Sequence, residues 1–98
     1  MNKKERKHRI LEVAVEHARL CGIHQITRQG VADDAGVGAG TVSLHFNTMG
    51  QLRRAVARHA TRHGDPVILS QLLVDPAFKK KLSQAHKSIA LEYLSGNI

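Results

Sequence analysis

The segment Gly36-Val37-Gly38-Ala39-Gly40 places three glycines within five residues, between two short apolar runs. Glycine weakens helix interiors and readily takes the left-handed conformation that ends helices. A long helix therefore cannot run through this segment. Nothing around it alternates apolar and polar residues as a half-buried strand does. The segment reads as a tight turn between two short helices.

The rest of the chain has helical spacing too. Over residues 3–21, Leu11, Ala14, Val15 and Ala18, with the neighbouring Ile10 and Cys21, recur at intervals of three and four. That spacing puts them on one face of a helix, with Glu12, Glu16 and Arg19 largely on the others. Cys21 reads as a small buried hydrophobe. Gly22 ends this helix. Thr27 is placed to cap a second helix carrying Val31, Ala32 and Ala35, which Gly36 stops after two turns. Gly30 inside it costs about 1 kcal/mol of helix propensity relative to Ala, so packing must hold it. A third short helix is expected from about Ala39 to Phe46. A fourth, over about 49–63 with Leu52, Val56 and Ala60 on one stripe, follows the interruption at Asn47-Thr48. Gly64-Asp65-Pro66 breaks the chain, 67–74 is a short apolar run, and Asp75-Pro76 opens a last helix over about 77–94. Its expected inner face is Phe78, Leu82, Ala85, Ile89 and Tyr93. The fold class is all-α, a small helical bundle.

Composition narrows the function. Ninety-eight residues, 42% apolar, suffice for one small domain and its appendage. The 15 Lys+Arg against 8 Asp+Glu give a net charge of +7, which favours polyanionic partners. Aromatics are only 3%, with no Trp, too few for platforms on which single-stranded bases stack. One cysteine excludes an internal disulfide and a Cys-rich zinc module. The charged amino terminus has no apolar run after it and is not a secretory signal. No 18-residue apolar stretch marks a membrane span. A cytoplasmic protein is expected.

Two short helices joined by a glycine turn, braced by longer helices on either side, make a helix-turn-helix arrangement. From Arg9 through Leu52 the chain resembles the N-terminal DNA-binding domain of the TetR family of bacterial regulators. The residues that carry the likeness are Ile10-Leu11, Ala14, Gly22, Thr27, Ala32, Ala35-Gly36-Val37, Gly40-Thr41, His45-Phe46 and Leu52. The stretch AGVGAGTVSLHFNTMGQL follows the family signature Ala-Gly-Val-Ser-x-Gly-Thr-Leu-Tyr-x-His-Phe in order and spacing. The resemblance implies that Thr27 and Arg28 open the first helix of the motif and touch backbone phosphate. It implies that residues 38–45 form the recognition helix, with Gly38, Ala39, Gly40, Thr41 and Ser43 nearest the DNA. His45 would approach a phosphate and Phe46 would fill the core beneath. Thr41 offers a hydroxyl to a base edge or a methyl to thymine.

Four positions depart from the family pattern. Gly38 stands where a small hydroxyl is usual, Ala39 and Met49 where Lys is frequent, and Ser43 where Tyr is usual. These departures remove phosphate anchors from the motif. Lys3, Lys4, Arg6, Lys7 and Arg9, five cations in the first nine residues, supply an alternative as a flexible basic arm reaching the minor groove or flanking backbone. The expected organisation is an arm at 1–9, a helix-turn-helix domain at 10–63 and a helical extension at 64–98. Family members carry a large C-terminal effector-binding domain. The residues after Gly64 are too few to enclose such a cavity, so no small-molecule effector and no cofactor are expected. Val67, Ile68, Leu69, Leu72, Leu73 and Val74, with Phe78, Leu82, Ile89, Leu91 and Leu94 of the last helix, either complete the core over the first and fourth helices or form a self-association surface; Leu91 and Leu94, off the inner stripe, favour the surface. A two-fold dimer doubles the base pairs read.

Seven histidines raise the question of metal. His59 and His63 have the i, i+4 spacing of a metal pair but no third ligand nearby. Paired carboxylates and a nucleophile beside a base are missing, and the glycine turn follows no strand, so it is not a dinucleotide site. The expected function is a non-enzymatic, homodimeric transcriptional repressor on double-stranded DNA. The alternative is a protein-interaction module on the same fold, binding a protein partner.

Overall fold

In the computed structural model, which describes residues 1–96, every regular element is a helix and no strand is present among the described residues. The helices are α1 Lys3–Cys21, α2 Arg28–Ala35, α3 Ala39–His45, α4 Met49–His63, α5 Pro66–Leu73, α6 Pro76–Lys79 and α7 Gln84–Leu94. None is long and apolar enough to cross a membrane. The chain forms two compact units, one ending at Val56 and the other starting at Ala57. The expected break at Gly64-Asp65-Pro66 is a helix boundary, whereas the division between units falls inside α4.

Caps set most helix starts. Asn2 accepts from the Glu5 N–H at 2.8 Å while its amide donates to the Glu5 carboxylate at 2.6 Å, a reciprocal cap. Helix α1 therefore begins at Lys3 and absorbs the basic segment, so residues 3–9 are helical and not a flexible arm. Thr27 caps α2 by accepting from Gly30 N–H at 3.0 Å, as the sequence implies. Gly36, at φ 73°, takes the left-handed conformation that stops α2. Thr48 accepts from Gln51 N–H at 3.1 Å and opens α4.

The first unit is built on Ile10, Val13, Ala14, Val15 and Ala18 of α1, with Ile23, Ile26, Val31, Ala32, Val42, Phe46, Leu52 and Val56 also buried. Helix α2 packs on both α1 and α3. Cys21 is exposed, contrary to expectation. It is the last residue of α1, and the chain turns away at Gly22 (φ 102°), so Ile23 carries the core onward.

In the second unit α5 lies along α7, with Ile68, Leu69, Leu72, Leu82 and Ala90 buried. Asp65 caps α5 by accepting from Val67 and Ile68 N–H at 3.1 and 3.3 Å. His86 Nε2 donates to the Thr61 carbonyl at 3.0 Å, tying α7 to the C-terminal half of α4. The expected continuous helix over 77–94 is two helices. Ser83 accepts from His86 N–H at 3.1 Å and so starts a new helix, while Leu82 turns inward in the connection. The Phe78-to-Tyr93 stripe therefore does not lie on one helix face. Tyr93, Leu91 and Leu94 are exposed.

Gly30 owes its place to the cap. A Cβ there would lie 2.8 Å from Thr27 Oγ1. Thr27→Ala should cost about 1 kcal/mol. Gly30→Ala alone should give no net gain, because its propensity advantage of about 1 kcal/mol is offset by loss of the cap. In the Thr27→Ala background the same change should stabilise, and urea unfolding of the four proteins checks this. Additive effects would contradict the steric account.

Candidate nucleic-acid interface

Helices α2 and α3 form the two arms of the motif, joined through Gly36 and Val37. The turn is fixed by backbone bonds from Gly36 and Val37 N–H to the Asp33 and Ala32 carbonyls, at 3.3 and 3.0 Å. Gly38 caps α3 without a side chain, and neither Gly38 nor Gly40 has any atom within 4 Å of where a Cβ would stand. That edge of α3 is bare backbone, open to close approach by a partner.

Behind it, Val42 and Phe46 anchor α3 in the core. Arg28 Nη1 donates to Ser43 Oγ, and Ser43 in turn donates to the Ala39 carbonyl at 3.2 Å. These two predicted contact residues thus face one another and brace α2 against α3. Ser43 is occupied within the motif, while Arg28 keeps further N–H donors. Thr27 is occupied as a cap. Ala39 and Thr41 are partly exposed.

Of the five cations of the expected arm, Lys3, Lys4, Arg6 and Lys7 occupy the first turns of α1, which contacts α3. Lys7 Nζ stands 5.4 Å from the centre of the Phe46 ring. His45 Nε2 is shielded from solvent and has no hydrogen-bond partner. Burial first, then the charges of Lys3, Lys7 and Arg6, hold the His45 imidazole below its ordinary pKa. These surroundings favour the neutral imidazole. The cationic end of α1 and the C-terminal end of α3 are neighbours, although they are far apart in sequence.

This placement of charge is unfavourable within the protein alone. A helix N-terminus carries partial positive charge and favours acidic side chains. Glu5 is the one acid in the first turn of α1, among Lys3, Lys4 and Arg6. An external polyanion would offset that repulsion.

Sequence reasoning missed the clamp between His17 and Asp34, whose Nε2 and Oδ2 atoms are 2.5 Å apart. It ties α1 to α2. No sequence signal could have found it, because the partners lie on different helices 17 positions apart. An open cleft of about 240 Å³ beside the clamp is lined by Arg9, Glu12, Val13, Glu16, His17 and Asp34. That is below the ~300–1,000 Å³ usual for small-molecule sites. In the second unit the His59 and His63 rings are 4.3 Å apart, and no group of three metal-ligating side chains occurs among the described residues. Sequence reasoning also missed the exposure of Leu44, next to the last residue of α3.

No protein-family model, curated protein or solved structure matches the chain.

Proposed function

We propose that this chain is a TetR-like helix-turn-helix regulator that binds double-stranded DNA sequence-specifically. It acts in the cytoplasm as a homodimeric repressor, by occupying operator DNA and not by chemistry or by sensing a small molecule. The observation that carries this reading is the juxtaposition within the first unit. The strongly cationic first turns of α1 lie beside a short helix that has no Lys or Arg of its own and a bare glycine edge. Cations on that helix end hold phosphates through salt-sensitive contacts, while α3 enters the major groove.

Dimerisation draws on the exposed Leu91 and Leu94 of α7, together with Val74. Two copies related by a two-fold axis read two half-sites about one helical turn apart. A second reading, a protein-interaction module, draws on Leu44 and on the occupied Ser43, which leave α3 few groups for hydrogen-bonding bases. Selection of bound duplexes from a random pool distinguishes the two. The regulator yields an inverted repeat with half-site centres about 10 base pairs apart. Recovery of no common sequence would favour the module.

A further inference from the structure

Helix α3 has an unusual outer surface for a helix read as entering a DNA groove. Arg, Lys, Asn and Gln, whose long side chains make the commonest bidentate contacts to guanine and adenine, do not occur between Ala39 and His45. Ser43 Oγ is engaged by Arg28 and by the Ala39 carbonyl. His45 has its Nε2 shielded, and Val42 is fully buried. Thr41 keeps a short hydroxyl and is only partly exposed.

The one long side chain standing outward on α3 is Leu44, 71% exposed. One turn earlier is Gly40, with open space around its Cβ position. Leu44 therefore stands beside bare backbone, with nothing to keep a partner's surface away from its methyl groups. A lone exposed leucine is ordinary on a protein surface. Here it is the most protruding group on a helix otherwise stripped of hydrogen-bonding reach. The apolar feature that the major groove presents is the C5-methyl group of thymine.

We infer that Leu44 is a specificity-determining residue, reading thymine by packing its methyl groups against the C5-methyl in the major groove. This rests on the DNA-binding reading above and adds to it the chemical group that is read. The cations of α1 supply attraction without sequence preference, and Leu44 places a thymine at a fixed position in each half-site.

The test replaces each thymine of a selected duplex, one at a time, by deoxyuridine, which keeps every hydrogen-bonding group and removes only the methyl. The wild-type chain should lose about three- to tenfold in affinity at one position per half-site, as expected for one buried methyl contact. Leu44→Ala should bind the thymine and deoxyuridine duplexes equally, with an unchanged salt slope and unchanged helicity, since the side chain is exposed. Uniform indifference of the wild type to deoxyuridine, with the selected duplex still preferred over random sequence, would overturn the role of Leu44 and leave DNA reading intact. A deoxyuridine penalty that persists in Leu44→Ala would overturn it equally. No preference of the wild type for any selected duplex would overturn both.

Discussion

Replacing Lys3, Lys4, Arg6 and Lys7 together by Gln should reduce affinity for every duplex by about 10²–10³ at low salt. The slope of log affinity against log salt should become shallower by about 3–4, as expected when about four phosphate contacts are lost. Selected and random duplexes should weaken in parallel, because phosphate contacts position the protein without reading sequence. Folding stability should stay level or rise slightly. Gln is a good helix former, and the change relieves like charges gathered at the positive end of α1. Opposite signs for binding and stability separate this outcome from simple unfolding. A change in sequence preference at constant salt slope would mean that this end of α1 reads bases and does not merely hold the backbone. Fluorescence anisotropy across a salt series, beside thermal unfolding, supplies both quantities.

The second large effect concerns folding. Ile10→Ala should destabilise the chain by about 2–5 kcal/mol, the range for emptying a fully buried aliphatic site. Ile10 has no exposed surface. Against a total of about 5–15 kcal/mol for a domain, that is a large share. The melting temperature should fall by about 8–40 °C, given about 4–8 °C per kcal/mol for a chain of this size. Leu20→Ala, on the same helix, is the control. Leu20 is 74% exposed, and its truncation should stay within about 0.5 kcal/mol. Circular dichroism melts of the two variants check the pair. Equal losses would mean that the inward face of α1 has been misassigned. Because Ile10 supports the unit that carries α3, its loss should also abolish DNA binding at 37 °C while leaving it measurable in the cold.

Much of this architecture is legible in the sequence because local chemistry decides it. Thr27 caps the helix it precedes, Asp75-Pro76 opens a helix, Gly22 and Gly36 stop the ones they follow, and the Leu52-Val56-Ala60 stripe is buried as its spacing implies. The last segment was misread for a physical reason. Phe78 and Leu82 satisfy helical spacing, but the Ser83 hydroxyl satisfies the His86 N–H and starts a new helix there. Local pattern cannot weigh those two options. The basic amino terminus has both arm-like charge and helix-like spacing, and the reciprocal cap between Asn2 and Glu5 decides for the helix.

The candidate interface was legible only as a set of positions. The twelve positions it names span α1, α2 and α3, and the fold determines what each is free to do. Ser43 and Arg28 are residues of opposite arms that hold each other. Thr27 is occupied as a cap, and the His45 pKa is lowered by burial and by the lysines and arginine beside it. The exposure of Leu44 is not marked in the sequence, since burial and exposure differ only by which side of a short helix faces the core. The pairing of Arg28 with Ser43 and the surroundings of His45 depend on residues 15 or more positions apart, which spacing along the chain does not encode.

If the cations of α1 hold the DNA backbone while α3 reads the bases, salt should separate the two contributions in one titration. The wild-type chain is titrated with its best selected duplex and with a random duplex of the same length, from low to near-physiological salt. Affinity for both should fall steeply as salt rises, with the selected duplex tighter by about 10³ or more where the non-specific contribution has been screened. Equal affinity for the two duplexes at every salt concentration would contradict reading of the bases by α3.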